Sequence, residues 1–260
     1  MNRLPIKDIL RLLGPVLFAI FLASPVYGET ETGDTWHFQL GTYAWLSGQK
    51  GTLATQPGLP AAEVDLDFYD DILGNINGSF ALIGEARKGR VGVVTDVSYS
   101  DIEDDEATPG PLFTALTSRT KTWIVSAAGF YRLIEQDRAF LDGLAGLRYW
   151  SVDSSLKLGA GILPARKSSN REDWVDPIIG LKGLLPLDAS NFFVSGALVV
   201  GGFGVGSDFM WDGLLNLGYQ WTPTFSTTVG YRYLDVETDE DDFLYDVYQD
   251  GPVLGFSWRF

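Results

Sequence analysis

The residues able to do chemistry are few, and their types narrow what that chemistry can be. The chain carries one histidine, His37, and no cysteine. A serine or an activated water usually needs a histidine base with a carboxylate to orient it. His37 falls at the start of the first segment of strand character, which reads as an interfacial or lumen-facing position and not as a base. Thiolate and disulfide chemistry are excluded by composition. Two acidic clusters, Asp101, Glu103, Asp104, Asp105 and Glu106, and then Glu237, Asp239, Glu240, Asp241 and Asp242, offer the hard oxygen ligands of Ca²⁺ or Mg²⁺. Neither has the glycine and glutamate spacing of a helix–loop–helix calcium loop, and both read as solvated loop ends. The glycine run Gly201 to Gly206 lacks the strand–turn–helix setting of a dinucleotide loop. No cofactor or metal site is expected.

A second set of ionisable residues is more orderly. Glu85, Arg87, Asp96, Asp142, Arg148, Asp176, Lys182, Arg232 and Arg259 each sit within a stretch that alternates apolar and mixed residues. All fall on the mixed face. The two signs are nearly equal in number there, although the whole chain has a net charge of −15. A selective pore shows one dominant sign along its wall. Balanced signs predict a polar network of paired charges, because an unpaired buried charge costs several kcal/mol. Glu85, Asp96 and Asp176 are expected to pair with Arg148, Arg232 and Lys182.

The elements that must position these residues are strands. Ten segments alternate with period 2, over 37–47, 76–87, 91–101, 120–133, 139–152, 174–185, 192–204, 209–221, 225–236 and 247–260. Short breaks at 88–90, 134–138, 186–191 and 222–224 take turns with longer polar ones at 48–74, 102–118, 153–172 and 237–246. The break near Gly206–Asp208 is short where a long one is due. In the last segment Leu254, Phe256, Trp258 and Phe260 form an apolar face against Val253, Gly255, Ser257 and Arg259. An apolar face against lipid and a polar face against a lumen require this pattern. Glycine, at 30 residues, and aromatics, at 13%, are both abundant, as curved strands and interfacial girdles require. The fold class expected is all-β: a single antiparallel transmembrane β-barrel of about ten strands, with eight or twelve as alternatives.

The N-terminus indicates how such a barrel would reach its membrane. Arg3, Lys7 and Arg11 precede an apolar stretch from Leu12 to Ala23, and Val26 and Gly28 fit a peptidase site before Glu29. Residues 1–28 read as a cleaved signal peptide and 29–260 as the barrel. Loss of that segment would take the charge from −15 to −17, which argues against nucleic acid as a partner. The partners expected are outer-membrane lipid and lipopolysaccharide, with the barrel-assembly machinery recognising Leu254, Phe256, Trp258 and Phe260 during insertion.

Several motifs recur as a set: Phe68 to Leu73, Glu85 to Arg90, Gly146 to Trp150, Glu172 to Pro177, Gly201 to Asp208, Gly230 to Val236, and Gly251-Pro252 leading to Arg259-Phe260. In these the chain resembles a widespread family of uncharacterised Gram-negative outer-membrane β-barrel proteins. The resemblance implies the compartment and the fold; it supplies no reaction or ligand. Three roles follow from the residues: a structural or interaction barrel with a largely closed lumen, a narrow channel for small solutes, or a lipid-modifying enzyme. The first is favoured, since barrels near eight strands are filled by side chains and wide pores need about 16.

Overall fold

The computed structural model describes residues 35–54, 62–66, 76–106, 110–187, 190–240 and 243–260. The expected signal peptide, 1–28, lies outside them, as do Phe68 to Leu73.

Twelve strands account for nearly all of the described chain: β1 (Trp36–Trp45), β2 (Gly48–Ala54), β3 (Ala62–Leu66), β4 (Ile76–Lys88), β5 (Val91–Glu106), β6 (Phe113–Gln136), β7 (Ala139–Ala160), β8 (Arg166–Pro186), β9 (Phe192–Gly202), β10 (Phe209–Gln220), β11 (Phe225–Glu240) and β12 (Phe243–Arg259). Ten of them form a closed antiparallel ring, β1 and β4 through β12, with β12 returning to β1. The seam runs from Gln39 opposite Arg259 to Trp45 opposite Val253. Its lower end is fastened by paired backbone bonds between Phe38 and Phe260. β2 continues the line of β1 along the upper half of β12, from Gly48 opposite Asp250 to Ala54 opposite Leu244, and β3 pairs with β2. The line breaks at Leu46 and Ser47. There a side chain on Gly251 would meet the Leu46 carbonyl at 2.1 Å, so that position needs glycine.

Closure satisfies every backbone group of a membrane-embedded sheet without leaving an edge in lipid. The outward face fits that solvent. Leu82, Val93, Leu147, Ile179, Leu215, Val229 and Leu254 are all exposed on it. Aromatic clusters rim both ends of this belt. Phe80, Tyr99 and Trp123 pack together at one end, and Trp211, Tyr233 and Tyr248 stack in a row. Trp36, Phe38 and Phe260 stack at the other, where the tight turn at Gly89 and Arg90 also lies. By the convention for such barrels the short-turn end faces the periplasm.

The strands are longer than their alternation predicts. Much of 102–118, 153–172 and 237–246 is strand and not loop: β5 runs to Glu106, β7 to Ala160, and β8 starts at Arg166. These extensions carry charges outward, which hides them from a search for lipid-facing strands. The break after β9 is short, as its sequence indicates. Gly202, Phe203 and Gly204 take positive φ there and turn the chain directly into β10.

Candidate functional site: the lumen

Alternation points the mixed face inward, and the ring brings its charges within reach of one another. In the lower lumen Lys182, on β8, stands opposite Asp142 of β7. Its Nζ lies 2.8 Å from Asp142 Oδ2 and 2.8 Å from Glu85 Oε2. Asp142 is fully buried and also accepts from Arg132 Nε at 2.9 Å. Arg132 reaches on to Glu135 at 2.9 Å. Aromatic faces complete the shell, with Lys182 4.0 Å from the Phe130 ring centroid and Arg132 4.2 Å from that of Phe140. Arg87 donates to the Gly89 carbonyl at 2.7 Å, and Arg259 to Gln39 at 3.1 Å.

One step higher a chain of groups crosses the lumen. Asp212 of β10 accepts from Arg232 through both oxygens, at 3.0 and 2.7 Å, and lies 2.9 Å from Arg148 Nη2. Arg232 Nη1 donates to the Tyr43 hydroxyl at 2.8 Å, and that hydroxyl donates to Asp96 at 2.9 Å. Arg148 also donates to Ser126 at 2.9 Å. Two guanidinium groups and two carboxylates thus share one connected set. The fork geometry of arginine suits this: each nitrogen of Arg232 finds an acceptor, while Arg148 engages through Nε and Nη2.

Above this level the lumen turns apolar. Trp45, Ile124, Trp150, Val152, Met210, Leu234, Val236, Tyr245 and Val247 are buried in one cluster. Its polar anchor is Asp176, fully buried, which accepts from the Trp150 indole at 2.7 Å and from Ser207 through N–H at 2.6 Å and Oγ at 2.8 Å. Trp174 stacks on Trp150 at 5.7 Å and donates to Ser207 Oγ at 2.9 Å. Three of the motifs named above, those holding Trp150, Asp176 and Ser207, meet at this point. The β9–β10 turn is therefore folded inward as a cap.

The expected partners are only partly those found. Lys182 meets Glu85 directly. Asp96 reaches Arg232 through Tyr43. Asp176 takes no arginine: Arg148, its register neighbour, turns across the lumen to Asp212, and indole and serine donors satisfy Asp176 instead. Asp212, Arg132, Glu135, Tyr43 and Ser207 join the network beyond the expected set. Asp212 has a visible signal in the sequence, a lone carboxylate on the inward face of β10 between Met210 and Leu214.

Leu254, Phe256, Trp258 and Phe260 all point outward from β12, with Trp258 beside Phe225 at 5.2 Å. His37 stands at the turn end of β1, opposite Arg87. Of the acidic clusters, Asp101 and Glu103 both bind Arg119, at 2.7 and 3.2 Å. The side chains of Asp104 to Glu106 and of Asp239 to Asp242 lie outside the described residues.

No protein-family model matches the chain, and no curated protein matches it in sequence. Solved structures do match. The outer-membrane protease OmpT of Escherichia coli is 12% identical, covers 90% of this chain and 99% of its own, and superposes with a TM-score of 0.54. A major outer-membrane protein of Thermus thermophilus is 13% identical over 87% of this chain and 100% of its own, with a TM-score of 0.44. Ail, the attachment invasion locus protein of Yersinia pestis, is 16% identical over 87% and 99%, with a TM-score of 0.37. At these identities the likeness is one of fold, and it is the first of the three that supports it. With its closed ring, apolar belt and aromatic rims, the chain has the fold of a Gram-negative outer-membrane β-barrel.

Proposed function

We propose that the chain is a structural or interaction barrel of the outer membrane whose lumen is closed by its own side chains. The observation that carries this reading is the crossing set Arg148–Asp212–Arg232–Tyr43–Asp96, roofed by the apolar cluster. Ion pairs that span a lumen occupy the path a solute would take, and an apolar layer above them adds a barrier to ions and water. The protease among the matches shares the fold alone; the histidine here sits at the turn end of the barrel, away from the extracellular rim.

Proteoliposomes loaded with a small sugar test closure. The reading expects no swelling above that of empty liposomes, and swelling that scales inversely with solute size would replace it with a narrow channel. Incubation with lipopolysaccharide or phospholipid, followed by mass spectrometry, tests the enzyme alternative, with unchanged lipid as the expected result. The outward set Leu254, Phe256, Trp258 and Phe260 is proposed as the surface that the assembly machinery reads. Deleting Phe260 also removes its two backbone bonds to Phe38. The deletion should leave exported protein unassembled in the periplasm; normal heat-modifiable gel mobility at native levels would contradict this.

A further inference from the structure

The β7–β8 hairpin carries on its outer face a charge arrangement that, among the described residues, has no acid directly beside it. Just above the aromatic girdle, outward charges alternate in register: Asp101, Lys121, Asp153 and Arg171 follow one another across β5 to β8. Arg119 and Arg171 there have carboxylate partners in Asp101 and Asp173. Higher up the balance fails. Lys157 and Lys167 stand directly opposite each other, both exposed. Their same-face neighbours, Thr117, Ser155, Gly159 and Ser169, carry no acid. Like charges directly across a strand pair repel. In a chain of net charge −15, such a pair without an acid beside it marks a place for an external anion.

The wall next to this pair is open. β9 stops at Gly202, and the last β8 residue it pairs is Ile178. The β9–β10 turn covers Val175 and Asp176, where a side chain on Gly206 would meet the Val175 carbonyl at 2.7 Å. Among the described residues no strand borders β8 on that side from Arg166 to Asp173. The backbone groups that β8 does not turn toward β7 therefore meet no described strand there, beside Lys167. Lys167 lies eight residues above Val175 of the apolar belt, or about 20 Å along the barrel axis at ~3.3 Å per residue and ~40° tilt.

We propose that this notch and the Lys157–Lys167 pair form a docking site for a phosphorylated saccharide of the lipopolysaccharide layer. The inference rests on the outer-membrane reading, not on lumen closure. At that height the lateral neighbour of an outer-membrane barrel is the sugar region of lipopolysaccharide. A phosphate between the two ammonium groups relieves their repulsion, and sugar hydroxyls match the side of the strand that no described strand borders. Charge and hydrogen-bonding capacity thus select the same occupant.

The test uses the full barrel in nanodiscs and measures its affinity for lipopolysaccharide, for enzymatically dephosphorylated lipopolysaccharide, and for inorganic phosphate. Native protein should bind intact lipopolysaccharide at least tenfold more tightly than the dephosphorylated form. The contrast should shrink with added salt. Inorganic phosphate should bind far more weakly than the lipid, because it lacks the saccharide. The double variant Lys157→Glu with Lys167→Glu should lose the preference for intact lipopolysaccharide while keeping native heat-modifiable mobility, and Lys88→Glu at the opposite rim should keep it. Equal binding of the two lipopolysaccharide forms by native protein, or native affinity in the double variant, would overturn the proposal. So would cross-linking of the Arg166–Asp173 edge to a second polypeptide with no dependence on phosphate. Neither result bears on conduction, so closure stands or falls separately.

Discussion

The membrane-spanning part of the barrel and its extracellular extension are built from the same strands with opposite polarity. On β11, Tyr231 and Tyr233 face outward at the girdle and Arg232 faces in; two residues further, Asp235 faces outward and Leu234 and Val236 are buried. The other strands do the same. Inward Arg148 gives way to Trp150 and Val152 on β7, and inward Asp212 to Met210 on β10. No shift of register is needed. Below the girdle the outer solvent is hydrocarbon, so apolar side chains go outward and the lumen holds the charges, most of them in paired sets. Above it water lies outside, and the hydrophobic effect drives apolar side chains into the lumen as in any soluble domain. The barrel thus holds two stacked cores, one ionic and one apolar, and in the proposed function each closes the lumen by a different force.

Either core can be disrupted on its own. The largest effect is expected from Asp212→Asn, which removes the carboxylate shared by Arg148 and Arg232. Leaving two buried guanidinium groups without it should destabilise the barrel by about 3–5 kcal/mol in urea unfolding from lipid vesicles. Little or no change would mean that water already solvates these arginines. Leu234→Ala, in the apolar core, should cost about 2–5 kcal/mol through lost burial and the cavity left behind. A value near zero would show that the extension is hydrated inside. The outer face adds a third contrast. Val229→Arg in the belt should cost about 2–4 kcal/mol, whereas Asp235→Arg, on the same face of the same strand above the girdle, should cost about 0–1 kcal/mol. Equal costs would move the membrane boundary.

The smallest expected effect lies in the extension's surface pairs. The hydrogen bonds from Arg119 hold the Asp101 carboxyl below its ordinary value. A carboxyl depressed in the folded state contributes stability above its unfolded pKa of about 3.9, and that contribution fades as the pH falls through the folded value. Arg119→Gln should therefore lower stability only slightly at neutral pH, and the difference from native should shrink below about pH 4. A difference that grows on acidification would contradict the assignment.

The reversal of polarity also explains what is legible in the sequence. Strands within the belt are readable because Leu254, Phe256, Trp258 and their counterparts alternate against small or charged residues. The ten-membered ring follows from them. The extensions are not readable, because Asp153, Arg171 and Glu237 occupy the outward positions that lipid would have made apolar; polar residues at that phase look like loop. Lys182 meeting Asp142 can be approached from sequence, since β7 and β8 are neighbours. Arg148 meeting Asp212 cannot. These two lie on strands that are not neighbours in the ring, and which of them touch depends on tilt and stagger around it. The partners of Asp176 escape the sequence for a related reason: the turn carrying Ser207 folds in to satisfy it, and a glycine-rich turn gives no sign of where it will pack.

If the ionic and apolar cores together seal the lumen, planar-bilayer conductance must register it. Purified protein inserted in a bilayer should show no stable unitary openings, and single neutralisation of Arg148 or Arg232 should introduce at most irregular leak through a loosened core. Regular ion-sized openings in the native protein, with an ion selectivity that changes when either arginine is neutralised, would show an open charged pore and contradict closure.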